Sequence, residues 1–355
     1  MPKLALPSNI IIAISAAILF GASTPFAKLL LGNISPILLA GLLYLGSGIG
    51  LLIFRLIKNR GWQASGLFNT EWIWLLGTII FGGILGPVLL MLGLVKTSAA
   101  TASLLLNLET VFTALLAWIF FKENTDIRIL FGMLLIVAGG VLLAWPKQFS
   151  QHWVGSVTIA LACLCWAIDN NLTRKISAAD PLFIVLIKGL VAGTTNIFLA
   201  FILHAALPSW IQISYALLIG FLSYGISLVL FVLALRNLGT ARASAYFSVA
   251  PFIGAAIAII FFDSTISNLF WIAAILMAIG VWLHLTENHE HIHTHECLFH
   301  HHIHTHDNIH QHAHDFPWDG KEPHAHPHHH QSITHSHSHY PDIYHRHKHK
   351  NKTSD

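Results

Sequence analysis

Apolar residues come in runs of about 20, the length that crosses a hydrocarbon core of ~30 Å at 1.5 Å per helical residue. Ten runs can be placed, at roughly 8–31, 36–57, 72–95, 99–121, 127–145, 154–173, 182–206, 211–235, 241–262 and 267–286. Turn and charge signals separate them: Gly32-Asn33, Lys58-Asn59-Arg60-Gly61, Glu123-Asn124, Pro146-Lys147, Ala179-Asp180-Pro181 and Pro208-Ser209. Trp62, Trp72, Trp145, Trp153, Trp210 and Trp271 fall near run ends, where interfacial aromatics belong. After Thr286 the chain turns polar and histidine-rich, with few aliphatics. The pattern predicts an all-α integral membrane body of ten transmembrane helices, followed by a disordered C-terminal tail over 287–355.

The runs are also duplicated. LVKTSAATASLLLNLETVFTALLAWIFF (94–121) aligns with LRNLGTARASAYFSVAPFIGAAIAIIFF (235–262) at an offset of 141, matching Ala102 with Ala243, Ser103 with Ser244 and Phe121 with Phe262. This predicts two five-helix repeats, 8–145 and 154–286. Five is odd, so the second copy enters the membrane from the opposite side, and the repeats are inverted. With a cytoplasmic N-terminus, the inside receives Lys3, Arg55, Lys58, Arg60, Lys122, Arg128, Arg174, Lys175, Arg236 and Arg242, and the outside Lys28, Lys96 and Lys147. That ratio places both termini, and the tail, in the cytoplasm. The N-terminal run is expected to stay as an uncleaved first helix, because it continues past Pro25 and outlasts a signal-peptide core.

Composition sharpens the division. Charged residues make up 10% of the chain, against about 25% in soluble domains. Of the 26 histidines, 23 follow Thr286. Three cysteines make no disulfide framework; Cys163 and Cys165 read as packing residues and Cys297 as a conceivable ligand. No nucleophile–base constellation, nucleotide loop or nucleic-acid motif stands out, so neither an enzyme nor a nucleic-acid binder is expected. The expected partners are a small-molecule or ion substrate and membrane lipid, with a homodimer left open and no cofactor required for transport.

Three stretches carry a family resemblance: FGASTPFAK (Phe20 to Lys28), its counterpart CWAIDNNLTRK (Cys165 to Lys175), and SAATASLLLNLETVFTALLAWIFFKE (Ser98 to Glu123). Over about residues 8–286 the chain resembles the EamA-like transporters of the drug/metabolite transporter superfamily. The copies depart from each other at Glu109 against Ala250 and at Thr110 against Pro251. The resemblance implies a secondary carrier, usually an exporter of metabolites or drugs and often proton-driven, in the inner or plasma membrane.

Ionisable groups inside a bilayer are costly and mark function or pairing. Glu109, beside Asn107 in an otherwise apolar run, is suited to carry a proton, or else to tie helices together. Asp169, Asn170 and Asn171 form the most polar intramembrane cluster, roughly 6–8 Å from the inner face. Lys188 returns to similar depth on the next helix, so an Asp169–Lys188 pair is geometrically open, as a structural ion pair or a substrate site. Lys28 either snorkels to the outer interface or attracts an anion. Pro25, Pro87 and Pro251, with Gly21, Gly82, Gly83 and Gly86, predict helix breaks that free carbonyls to line a cavity or act as hinges. Tyr44, Trp166, Tyr224 and Tyr246 are candidate cavity aromatics, with core packing the plainer reading.

The tail repeats His-x-His: His291, His293, His295, His300, His302, His304, His306, His312, His314, His324, His326, His335, His337 and His339. In an extended chain, residues i and i+2 fall on one side, and imidazole suits Zn, Ni, Co or Cu. The tail is expected to bind such a divalent metal, as buffer, sensor or donor. The helices carry no His or Cys cluster, so metal as the transported substrate is the alternative, and a membrane-anchored metal store the third.

Overall fold

A computed structural model describes residues 8–59, 67, 69–121, 127–145, 152–176, 179–238, 243, 246–262 and 266–286. It also describes the backbone of 289–294, 298–304, 324–330 and 334–339. The chain divides into two compact units, Met1–Glu287 and Asn288–Asp355.

The first unit is helical: α1 (Ser8–Leu30), α2 (Pro36–Asn59), α3 (Trp72–Thr78), α4 (Gly86–Val95), α5 (Ala99–Leu105), α6 (Leu108–Phe121), α7 (Ile127–Ala144), α8 (His152–Ile176), α9 (Pro181–Ile202), α10 (Trp210–Ile219), α11 (Ser227–Leu238), α12 (Ala250–Phe261) and α13 (Asn268–Leu285). Among the described residues, eight spans are long and apolar enough to cross a membrane by length and composition. The predicted ninth and tenth runs are described as shorter apolar helices, Ala250–Phe261 and Asn268–His284. The expected 182–206 run stops early, at Ile202, where His204 takes a positive φ of 58°.

Local chemistry sets the ends. Asp180 accepts from the Leu182 N–H with Pro181 at the first helical position, opening α9. Ser209 and Gln212 form a capping box at α10. Ser98 and Ser267 cap α5 and α13.

Solvation is inverted relative to a water-soluble protein. Large apolar side chains lie on the outside, Trp210, Ile57, Phe120 and Ile260 among them, while Ser23, Thr24, Ser47, Asn107, Asp169, Lys188 and Asn196 are buried. That is the arrangement a lipid solvent favours, since only satisfied polar groups are tolerated and apolar ones face outward.

Two antiparallel helices form the centre. Along α2 and α9, Gly41 meets Gly193 and Ile197, and Gly48 meets Gly189 and Leu190, at distances that a Cβ atom would violate. Small residues let the two backbones touch, as in membrane helix pairs generally.

Two seven-residue π segments interrupt the spans: Ile79–Leu85 joins α3 to α4, and Gly220–Ile226 joins α10 to α11. The second lies 141 residues after the first, the same offset that aligns the duplicated stretches. Gly82, Gly83 and Gly86 were expected to break this helix; they widen it instead, and Pro87 follows within the continuous span, where the Gly82 and Gly83 carbonyls accept from side chains rather than from the N–H that proline lacks. Pro25 lies inside an uninterrupted α1. Pro251 starts a helix, after a turn at Ser248 and Val249. The matching turn at Leu106 and Asn107 forms without proline: Asn107 Nδ2 donates back to the Leu104 carbonyl at 3.0 Å, and Cys163 Sγ approaches the Leu105 carbonyl at 3.6 Å.

In the second unit, where a tail without regular structure was expected, four strands are described. β1 (His289–Thr294) pairs antiparallel with β4 (Thr334–His339), and β2 (Leu298–His304) with β3 (His324–His330). The His-x-His alternation is itself a period of two, and Ile292, Thr294 and Ile303 supply β-branched residues.

Candidate functional site

α8 carries three consecutive polar residues to three different neighbours. Lys188 on α9 donates from Nζ to Asp169 Oδ2 at 2.5 Å, and both side chains are buried. Thr173, one turn on, donates to Asp169 Oδ1 at 3.1 Å. Asn170 Nδ2 donates to Glu109 Oε1 on α6 at 2.8 Å. Asn171 turns back to the Ala167 carbonyl at 2.9 Å and reaches the Thr113 carbonyl at 3.3 Å. Asp169 and Asn170 therefore bring together two carboxyl groups and one ammonium from three helices.

The first π segment lies directly against this cluster. A Cβ on Gly82 would overlap the Asp169 carboxylate, so only glycine lets the acid sit on the backbone there. The Gly82 carbonyl accepts from Tyr44 Oη at 2.6 Å and from Trp166 Nε1 at 3.1 Å. The Gly83 carbonyl accepts from Asn196 Nδ2 at 3.2 Å. Carbonyls loosened by a wide turn need such partners in the absence of water. The second π segment is held more simply, by Ser47 Oγ donating to the Tyr224 carbonyl at 2.9 Å and by Gly220 packing on the Leu43 carbonyl.

Aromatic rings continue the site from Trp166. Phe20 meets the Trp166 ring edge-on at 6.0 Å, Tyr224 at 5.8 Å and Phe247 at 5.2 Å; Tyr44 meets Tyr224 at 5.2 Å. Trp166 and Asn170 are four residues apart on α8, so they share a helix face. Thr24 Oγ1 and Asn196 Oδ1 are buried without a hydrogen-bond partner among the described residues, while Ser23 lies against the Tyr224 hydroxyl.

Of the residues singled out from sequence, Glu109, Asp169, Asn170 and Lys188 are brought together. Asn107 is not: it serves the helix break and touches Met277 Sδ at 3.9 Å. Lys28 is also elsewhere, donating to the Leu94 and Val95 carbonyls at the C-terminal end of α4 at 2.5 and 3.3 Å. Thr173 and Asn196 were not anticipated; a lone Asn within an apolar run was the available signal for the second. Tyr44 and Trp166 bind a backbone carbonyl as well as pack. A separate knot at the far end of α2 joins Arg55 to Asp180 at 2.7 Å, with the guanidinium 5.5 Å from the Phe183 ring centroid.

Among the described residues, no group of three or more His, Cys, Asp or Glu side chains is arranged to hold a metal ion. Of the tail candidates, His295, His306, His312 and His314 lie outside the described residues. His291 and His293 lie on β1, His300, His302 and His304 on β2, His324 and His326 on β3, and His335, His337 and His339 on β4.

The model of the EamA-like transporter family matches the chain twice, over residues 7–145 and 153–286. An uncharacterized transporter of Methanothermobacter thermautotrophicus (strain Delta H) is 28% identical over 288 residues, covering 76% of this chain and 84% of the relative. A crystal structure of a protein at 18% identity superposes with a TM-score of 0.60, covering 78% of this chain and 95% of that one. At that identity the likeness speaks for the fold alone.

Proposed function

The chain belongs to the EamA-like transporter family, and from that premise we propose that it is a proton-coupled secondary carrier exporting a small organic metabolite or drug across the inner or plasma membrane. The observation that carries this reading is the cluster of Glu109, Asp169 and Lys188 on the first π segment. Charges held among apolar helices are maintained where a pathway needs them. Glu109 is the proton carrier: it is half-buried, and its Asn170 partner is a neutral amide rather than a cation.

The two halves act as ten helices in inverted repeats. Three features support this: the double match to the family model, the antiparallel contact of α2 with α9, and π segments at one offset. The ratio of ten cations to three favours cytoplasmic termini. Flux in proteoliposomes tests the carrier reading. A pH gradient is expected to drive solute movement in the wild type, and Glu109→Gln to abolish that drive. Pumping by the variant with unchanged pH dependence would overturn the role of Glu109.

The tail is proposed to bind a divalent transition metal (Zn, Ni, Co or Cu) and regulate the carrier. The ladder register supports it, facing His291 with His337, His293 with His335, His302 with His326 and His304 with His324. Facing positions share one side of a ladder. The same observation favours a second reading, in which the metal is the cargo. Metal flux in proteoliposomes that disappears on removal of residues 288–355 would establish it. Metal binding without flux of any solute would favour a membrane-anchored store.

A further inference from the structure

Histidine faces histidine along both ladders of the second unit. On β1 and β4 the facing pairs are His289 with His339, His291 with His337 and His293 with His335; the positions between them pair Glu290 with Ser338 and Ile292 with Ser336. On β2 and β3 the pairs are His300 with His328, His302 with His326 and His304 with His324; the positions between them pair His301 with Pro327 and Ile303 with Ala325. Alternate residues of a strand belong to opposite faces, so each ladder carries three facing histidine pairs on one face. Slipping β1 by one residue against β4 would put Ser, Thr or Tyr opposite each of its histidines.

Two neighbouring pairs mark a rectangle about 5 Å across the strands and about 7 Å along them. They supply four imidazoles, the number that closes a structural zinc site. Glu290 belongs to the opposite face of its ladder, and β2 and β3 carry no acidic residue. A set of donors that is nitrogen alone suits Zn, Cu or Ni and passes over Mg and Ca, which take oxygen.

The ladders are also nested. β2 and β3 lie between β1 and β4 in the chain, and one register serves both: Thr294 faces Thr334, and four residues on Leu298 faces His330. Once β2 and β3 are joined, bringing β1 to β4 closes only 295–297 and 331–333 instead of the whole of 295–333. The shorter closure favours the outer ladder by about five- to tenfold.

We propose that the tail holds two separate transition-metal ions, one on the histidine face of each ladder, and that each ion tightens the other by zipping the strands together. The inference rests on reading the tail as a metal binder, and it adds the ligand sets, the stoichiometry and the coupling. Metal binding is then folding free energy for the tail.

The test titrates zinc, by calorimetry, into the metal-stripped full chain in nanodiscs. Two ions are expected in a tight class set apart from weaker sites, and no tight class with calcium or magnesium. His302→Ala and His326→Ala are each expected to weaken one ion by at least the about 10- to 100-fold that losing an outer-shell partner costs a metal site. The double variant costs little more, because both residues serve the same ion. It also weakens the other ion about five- to tenfold, and His291→Ala/His337→Ala acts reciprocally. His306→Ala/His312→Ala, outside the four strands, is expected to leave both ions in place. A tight class of any number but two in the wild type overturns the proposal without recourse to variants. So do two tight ions whose affinities stay independent. Affinity that falls with the number of histidines removed, wherever they lie, overturns the ladder sites and leaves the tail a metal binder. Absence of tight zinc binding overturns the proposal and the metal-binding reading together.

Discussion

Asp169 and Lys188 illustrate how a buried pair constrains its own replacement. Each neutralises the other, and removing either leaves a charge with no water to solvate it. Asp169→Asn or Lys188→Met alone is expected to cost about 3–5 kcal/mol, while the double Asp169→Leu/Lys188→Met costs clearly less. Thermal unfolding in detergent measures both, and a double variant as unstable as the sum of the singles would refute the pairing argument. Lys28 is a contrasting case. Its sequence context allowed an anion-attracting role, but it spends its ammonium on the free carbonyls ending α4, where helix dipole and hydrogen bonding both favour a cation. Sequence alone made the Asp169–Lys188 pair geometrically reasonable, because both residues lie near one turn, about the same depth from it. It did not reveal Gly82 as the surface beneath Asp169, since that contact spans 87 positions and depends on the missing side chain of a single glycine.

At the level of elements, α2 and α9 depend on having nothing where a side chain would be. Gly193 lies so close to Leu45 that a Cβ would come within 2.5 Å of its backbone nitrogen. Gly193→Leu or Gly48→Leu is expected to lower thermal stability by several kcal/mol, beyond the usual 1–3 kcal/mol of overpacking, since backbone has no rotamer to yield. Gly32→Ala, with its nearest neighbour at 3.6 Å, is expected to change stability by less than about 0.5 kcal/mol. Helix placement was legible because twenty-residue apolar runs have no other reading, and eight spans emerged within a few residues of their predicted bounds. The wide turns were not legible. Gly82, Gly83, Gly86 and Pro87 signal a disturbance, but whether a helix kinks, stops or widens depends on which neighbours satisfy its carbonyls, here Tyr44, Trp166 and Asn196. In the tail, the His-x-His alternation is compatible both with a polar low-complexity segment and with a strand period of two.

For the whole molecule, the boundary between the helical unit and the tail at Glu287 and Asn288 predicts separable behaviour. Removing residues 288–355 is expected to leave thermal stability and organic-solute flux within about twofold of the full chain, while eliminating most zinc binding measured by calorimetry. Loss of solute flux on truncation would show that the tail belongs to the carrier itself. The paired π segments carry a consequence of a different kind. A π turn holds roughly one residue more than an α turn, so everything beyond it is rotated by about 100° from where an unbroken helix would bring it. Each span thus contains one phase slip, at the same place in both halves. Deleting one residue from a single segment would put the two halves out of step with each other; deleting one from each would put them back in step, in a new phase.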